Sequence, residues 1–98
     1  MKLRAVIAQP ATGWQRDATV HDLCLGGASM TLQGKLEPGD KVVISFFAAS
    51  LWDPLALPAR VVWVRPGKEG AGMAGMAFEP DDPAAVFALF ELVTTVAT

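Results

Sequence analysis

Six short segments rich in β-branched and aromatic residues dominate the sequence, with glycine or proline between them. The segments run over Leu3 to Ala8, Ala18 to Leu25, Ala28 to Leu32, Lys41 to Phe47, Ala59 to Val64 and Met73 to Phe78. Turn residues stand at Gly13, Gly26-Gly27, Pro38-Gly39-Asp40, Asp53-Pro54, Pro58 and Pro66 to Gly70. Parallel strands would need connections of about a dozen or more residues. The spacing therefore predicts an antiparallel sheet folded as a small barrel or sandwich.

The end of the chain has a helical pattern instead. Asp81-Asp82-Pro83 offers an N-cap carboxylate followed by a proline suited to the first helical position. Apolar side chains then recur at helical spacing, at Val86, Leu89, Phe90 and Val93. We expect a helix over about 82–96, whose apolar stripe closes one end of the barrel as core rather than binding a partner.

Length and composition suit one folded domain. The chain has 98 residues, of which 52% are hydrophobic and 18% are charged, enough apolar material for a single modest core. No internal repeat or linker stands out. We expect one domain over 1–98, with the barrel over about 1–80.

The charge balance limits the partners. Eight basic and ten acidic side chains give a net charge of −2, so no global positive field attracts long nucleic acids. Any anionic ligand must be held by individual side chains.

The apolar stretch from Pro83 to Thr98 contains Glu91 and is shorter than the roughly 20 residues of a membrane span. The start, Met1 to Arg4, lacks a secretory signal, so we expect a cytoplasmic protein without a membrane span.

Few residues suit enzymatic or metal chemistry. Cys24 is the single cysteine, which excludes an internal disulfide and a cysteine-rich zinc site. His21 lies three residues from Cys24 on a presumed strand, so the two point to opposite faces and form no dyad. The run Gly67 to Gly72 lacks the order of a phosphate-binding loop and predicts a solvated hairpin. We expect no catalytic residue, no metal and no cofactor.

The stretch from Val20 to Leu32 places a polar turn between two apolar strands. On an extended strand, Asp22 and Cys24 project to the same face. Gly26 and Gly27 permit positive φ and let a ligand or another backbone segment approach closely. The segment therefore predicts a carboxylate beside bare peptide surface.

The run Asp22 to Ala28 resembles the Asp/Asn-x-Ser-x-x-Gly motif of PilZ domains, with Cys24 in place of serine. The order of later segments is also similar to that family: Leu36 to Ser45, Pro58 to Val64, Gly75 to Glu79 and the closing helix. The resemblance implies a single PilZ-like domain, a six- or seven-stranded antiparallel barrel that binds the bacterial second messenger cyclic di-GMP on its outer surface. It also implies a non-enzymatic role, with a protein partner in a motility or surface-polysaccharide pathway.

The same resemblance implies the ligand-binding residues. The turn surrounds a guanine in this family, and the imino and amino donors of guanine need an acceptor such as Asp22. The thiol of Cys24 bonds more weakly than the serine hydroxyl it replaces. Gly27 would hold the turn open, assisted by Gly26. Trp63 lies on a strand that brings an aromatic near the nucleotide in some members, where stacking contributes about 1–3 kcal/mol. Trp63 is at least as consistent with a position on the barrel surface or in the core as with a place in the site.

The arginine motif of the family is only partly matched in this sequence. Members usually carry an Arg-x-x-x-Arg motif ahead of the Asp motif, for the phosphates and the guanine edges. Arg4 can stand in for the second arginine, but the first would fall ahead of Met1, with Lys2 the only basic neighbour. Arg16 is a less favoured substitute. Losing one such contact weakens binding by about ten- to a hundred-fold. Two explanations stay open: a variant that has lost strong nucleotide binding, or a chain shortened at its start.

Two other kinds of barrel remain as alternatives. A nucleic-acid-binding barrel would present aromatics to bases, yet the tryptophans, Trp14, Trp52 and Trp63, accompany too few arginines for a basic stripe. A nucleotide-independent protein-interaction module is the stronger competitor. Phe46 to Leu55 is unusually apolar, and such a stretch marks a partner surface if exposed. A loop folded over the barrel mouth is the other interpretation of that stretch.

Overall fold

The computed structural model describes residues 3–47, 55–67 and 70–96. Its regular elements are, in chain order, β1 Leu3–Gln9, β2 Trp14–Leu23, β3 Gly27–Gln33, β4 Lys41–Phe47, β5 Leu55–Pro66, β6 Ala71–Phe78 and α1 Pro83–Val96. All strand pairs are antiparallel, and they close into a barrel in the order β1-β2-β3-β6-β5-β4. The predicted antiparallel barrel with a C-terminal helix is confirmed, with six strands in the described residues.

Alternating apolar side chains fill the barrel. The largest fully buried side chains are Phe46, Ile7, Met30, Ile44, Leu57, Leu89, Leu92, Val20 and Val61. The ring of Phe46 meets Phe78 edge-on, with 5.9 Å between ring centres. No polar or charged residue of the described ranges is buried. The interior is therefore apolar core, and polar recognition must take place on the outer surface.

Two strands are longer than the sequence pattern predicts. β2 begins at Trp14, and β5 begins at Leu55 and runs through Pro58. The turn predicted at Pro58 is therefore wrong. Proline has no backbone N–H and so cannot donate to a neighbouring strand. The β5–β6 ladder ends at the Ala59–Phe78 pair, so a proline at position 58 breaks no pairing within that ladder.

The helix begins where the capping residues predict, but it turns a different face to the barrel. The Oδ1 of Asp82 accepts a hydrogen bond from the N–H of Ala84 at 3.0 Å. Leu89 and Leu92 are buried in the core, whereas Phe90 is 54% exposed. Val86 is exposed as well, so half of the predicted inward stripe is wrong.

The physical reason is that α1 is apolar around most of its circumference, so more than one face satisfies helical periodicity. Packing against β5 then decides which face is buried. In the described ranges, no helix has the length and apolar content needed to cross a bilayer.

Candidate functional site

A β-bulge in β2 determines where Asp22 points. Val20 lies opposite Met30 on β3, but Asp22 lies opposite Ser29, so His21 is an extra residue in the ladder. Strict alternation from the buried Val20 would direct Asp22 into the barrel. The extra residue reverses the phase of the strand. Asp22 is exposed on the outer surface as a result.

β5 carries a matching bulge. Val61 lies opposite Met76 on β6, whereas Trp63 lies opposite Gly75, so Val62 is the extra residue. Val61 is buried, and without the bulge Trp63 would follow it into the core. The indole instead lies on the outer surface, 39% exposed. The structure thus excludes the core alternative for Trp63 and places the residue on the barrel surface.

The two bulges bring four residues into one row across four adjacent strands. Asp22 lies opposite Ser29, Ser29 opposite Gly75, and Gly75 opposite Trp63; we call these four residues the site row. A cleft of about 490 Å³ lies over the row. Its remaining lining residues are Leu23, Cys24, Gly27, Ala28, Val62 and Met76.

The carboxylate at one end of the row is oriented by its neighbour. The hydroxyl of Ser29 donates a hydrogen bond to Oδ2 of Asp22 at 3.1 Å. An exposed carboxylate keeps further acceptor positions for a ligand donor. Of the described residues that line the cleft, only Asp22 has a charged side chain. This end of the cleft therefore suits a donor-rich edge such as that of guanine.

The turn between β2 and β3 is held in place by hydrogen bonds. The backbone N–H and the thiol of Cys24 both donate to the carbonyl of Gly27, at 2.9 Å and 3.4 Å. The thiol is exposed and occupies a donor position that a hydroxyl would fill more strongly. The carbonyl of Gly26 accepts a hydrogen bond from the N–H of Phe78 at 3.0 Å. The turn is therefore anchored to β3 and β6.

The two glycines of the turn differ in what surrounds them. A Cβ at Gly27 would overlap the carbonyl oxygen of Met76, whereas a Cβ at Gly26 would meet open space. Neither residue has a positive φ. The expectation that these glycines serve a positive-φ turn is wrong, and close approach of the β6 backbone is the reason that position 27 requires glycine.

The aromatic end of the row also depends on a glycine. A Cβ at Gly75 would overlap the indole of Trp63, so the ring lies against the bare backbone of β6. On β5, two residues after Trp63, the guanidinium of Arg65 lies 5.7 Å from the centre of the Trp63 ring. The cleft therefore ends in a flat aromatic surface with a cation beside it.

Arg4 lies outside the cleft. It stands on β1 opposite Thr19, its guanidinium is 3.9 Å from Oδ1 of Asp17, and it lies 5.6 Å from the centre of the Phe47 ring. Arg16 lies near the start of β2, where its guanidinium is 5.4 Å from the centre of the Trp14 ring. Lys2 is outside the described residues. The structure thus brings together Asp22, Cys24, Gly27 and Trp63, with Gly26 next to them, and leaves Arg4 on the neighbouring strand.

Comparison with known proteins agrees with this architecture. The family model of the PilZ domain matches residues 1–94. The chain belongs to the PilZ family. PilZ domains form a receptor family for cyclic di-GMP and act as binding and adaptor domains rather than enzymes. No curated protein sequence matches the chain.

Two solved PilZ structures have the same fold. The PilZ domain of CeSA from a cellulose synthesizing bacterium is 23% identical, with a TM-score of 0.76 over 100% of this chain and 95% of that one. The PilZ domain of YcgR from Escherichia coli, solved with c-di-GMP, is 16% identical, with a TM-score of 0.73 over 95% of this chain and 80% of that one. At these identities the likeness concerns the fold.

Two members of the site row, Ser29 and Gly75, were not predicted from the sequence. Their pairing with Asp22 and Trp63 depends on the bulges of this PilZ barrel. Neither bulge residue, His21 or Val62, belongs to a type that marks a bulge. A glycine within a strand segment, as at Gly75, was the one available sign of close backbone or ligand approach.

The remaining predictions concern other chemistry on the PilZ barrel. The Nε2 of His21 forms a hydrogen bond with Oγ1 of Thr31, and His21 does not line the cleft that contains Cys24. Within the described ranges, no group of His, Cys, Asp and Glu is arranged to hold a metal ion. In the apolar stretch Phe46 to Leu55, Phe46 is buried and Phe47 is exposed, while residues 48–54, including Trp52, lie outside the described residues.

Proposed function

We propose that this chain is a non-enzymatic cyclic di-GMP-sensing module, one PilZ-like domain over 1–98, and that the nucleotide binds in the cleft over the site row. The observation that supports this most strongly is the outward convergence of Asp22 and Trp63 in one cleft, caused by a bulge in each of two strands. A bulge that re-aims a side chain is typical of functional positions.

The chemistry of the cleft matches a guanine nucleotide. The carboxylate of Asp22, held by Ser29, is an acceptor for the imino and amino donors of guanine. The exposed indole of Trp63 is a surface for base stacking, worth about 1–3 kcal/mol. Gly27 and Gly75 leave the backbone bare, so a planar base can approach closely.

We also propose that binding is weaker than in PilZ domains with the full motif. Cys24 offers a thiol, which is a weaker donor and acceptor, where the family has a hydroxyl.

The proposed output follows the behaviour of the family. There, the N-terminal segment folds over the nucleotide, and we propose that occupancy of the cleft reshapes this segment and exposes or hides a surface for a protein partner. The partner would act in motility or surface-polysaccharide regulation. Because a second messenger acts inside the cell, a cytoplasmic location is part of the proposal.

Titration calorimetry of the purified domain with cyclic di-GMP tests this function. We expect saturable heat for the wild type, and a loss of affinity of at least ten-fold for Asp22→Ala, because the guanine donors lose their acceptor. Asp81→Ala is the matched control, since Asp81 is an exposed carboxylate remote from the cleft. No heat with wild-type protein at about 100 μM would sink the receptor function, since specific small-ligand sites reach micromolar affinity.

A nucleotide-independent protein-interaction module is the second candidate function. The observation in its favour is an exposed apolar face on α1, formed by Val86, Phe87 and Phe90, with Phe87 66% exposed. Such a face favours a protein contact. A domain without cyclic di-GMP heat, whose recovery of a partner from bacterial extract is lost in Phe87→Ser and kept in Phe87→Leu, would support this candidate instead.

A further inference from the structure

Arg65 is a cation on the aromatic side of the cleft. It follows Trp63 by two residues on β5, is exposed, and holds its guanidinium 5.7 Å from the centre of the Trp63 ring. Among the described residues, no carboxylate lies within ion-pair distance of Arg65. Its positive charge therefore faces solvent beside the cleft without a carboxylate from the described residues to balance it.

The strand register places Arg65 in line with Arg4. Arg4 lies opposite Thr19, Thr19 opposite Thr31, Thr31 opposite Met73, and Met73 opposite Arg65. We call these residues, Arg4, Thr19, Thr31, Met73 and Arg65, the arginine row. It runs beside the site row on the same outer surface, with a guanidinium at each end.

The other cations near this surface are already engaged. Arg60 and Lys41 share the carboxylate of Glu79, at 3.9 Å and 3.4 Å. Arg4 lies 3.9 Å from Asp17. Unlike these three cations, Arg65 has no carboxylate within ion-pair distance among the described residues, so binding a new anion breaks no ion pair of that kind.

We propose that Arg65 binds a phosphate of the cyclic dinucleotide, on the side of the cleft opposite Asp22. This rests on the proposed function, and it deepens it by naming a cation beside the cleft for the phosphate. Asp22 and Trp63 are separated by three strand spacings, about 14 Å at 4.8 Å each. A guanine at Asp22 would therefore direct its ribose and phosphate towards Trp63 and Arg65. The planar guanidinium can bind two phosphate oxygens at once.

Calorimetry with cyclic di-GMP on four proteins tests this: wild type, Arg65→Ala, Arg65→Lys and Arg16→Ala. We expect Arg65→Ala to bind roughly ten- to a hundred-fold more weakly, because a charge-assisted contact is lost. Arg65→Lys should fall between, since lysine keeps the charge without the fork. Arg16→Ala is the matched control: it removes the same charge and the same kind of contact, 5.4 Å from the centre of the Trp14 ring, but outside the cleft.

A second measurement separates ligand contact from a structural role. If Arg65 contacts phosphate, the affinity gap between wild type and Arg65→Ala narrows as salt increases, because ions screen the attraction, while the two melting temperatures stay alike. A gap that is constant in salt and accompanied by a lower melting temperature would overturn the assignment.

The outcomes also distinguish this inference from the proposed function. If wild type binds and Asp22→Ala loses affinity while Arg65→Ala binds like Arg16→Ala, the assignment of Arg65 fails and the receptor function stands. If wild type does not bind, both fail.

Discussion

Gly26 and Gly27 show how neighbouring residues of one motif have different physical roles. The carbonyl of Met76 lies where a Cβ of Gly27 would be, so close packing of β3 against β6 fixes that residue as glycine. Gly26 lies in an exposed bend with open space around it and contributes through its backbone carbonyl. We therefore expect substitution of Gly26 to leave stability nearly unchanged and substitution of Gly27 to strain the contact between β3 and β6.

Gly27→Ala should lower the free energy of unfolding by about 1–3 kcal/mol, as overpacking of a tight contact does. Gly26→Ala should stay within about 0.5 kcal/mol of wild type, as for an exposed position. Urea unfolding of both variants measures the difference. Equal stabilities would contradict the role assigned to the Met76 contact.

At the residue scale, the sequence identifies the turn residues of the candidate site but not their cross-strand neighbours. Asp22, Cys24 and Gly27 are recognisable because the motif that carries them is contiguous. Ser29 and Gly75 belong to the site through cross-strand pairing, which depends on a register that no local pattern shows.

The strands and the helix are predictable at the element scale, but their orientation is less so. Runs of β-branched residues, with turn residues between them, locate all six strands. The bulges at His21 and Val62 are not predictable, since each inserts one ordinary residue and reverses the faces beyond it. Helix α1 has a clear start at Asp82, yet its many apolar residues leave the buried face ambiguous until β5 selects it.

The orientation of α1 can be tested by two truncations. Leu89→Ala should lower the free energy of unfolding by about 2–5 kcal/mol, because Leu89 is buried in the core. Phe87→Ala should change it by no more than about 0.5 kcal/mol, because Phe87 is largely exposed. Chemical denaturation of the two variants provides the comparison. A larger loss for Phe87→Ala would show that α1 packs with its other face.

Considered as a whole, the molecule carries the residues of the candidate site on one outer surface of a closed apolar barrel. The net charge of −2 supplies no general attraction for an anion, so a nucleotide must be bound by individual groups. The site row offers an acceptor and an aromatic, and the arginine row places a guanidinium at each end of the neighbouring line of residues. The family resemblance implies a ligand site on the outer surface, and the strand register shows which residues lie together there.

Backbone amide NMR spectra recorded during a titration with cyclic di-GMP test the central claim most directly. If the nucleotide lies over the site row, the largest shifts should be those of Asp22, Ser29, Gly75 and the indole N–H of Trp63, with smaller changes at Arg65. Amides on β4 and at Leu89 of α1 should stay in place. Shifts concentrated on the exposed face of α1, or no shifts at all, would contradict binding over the site row.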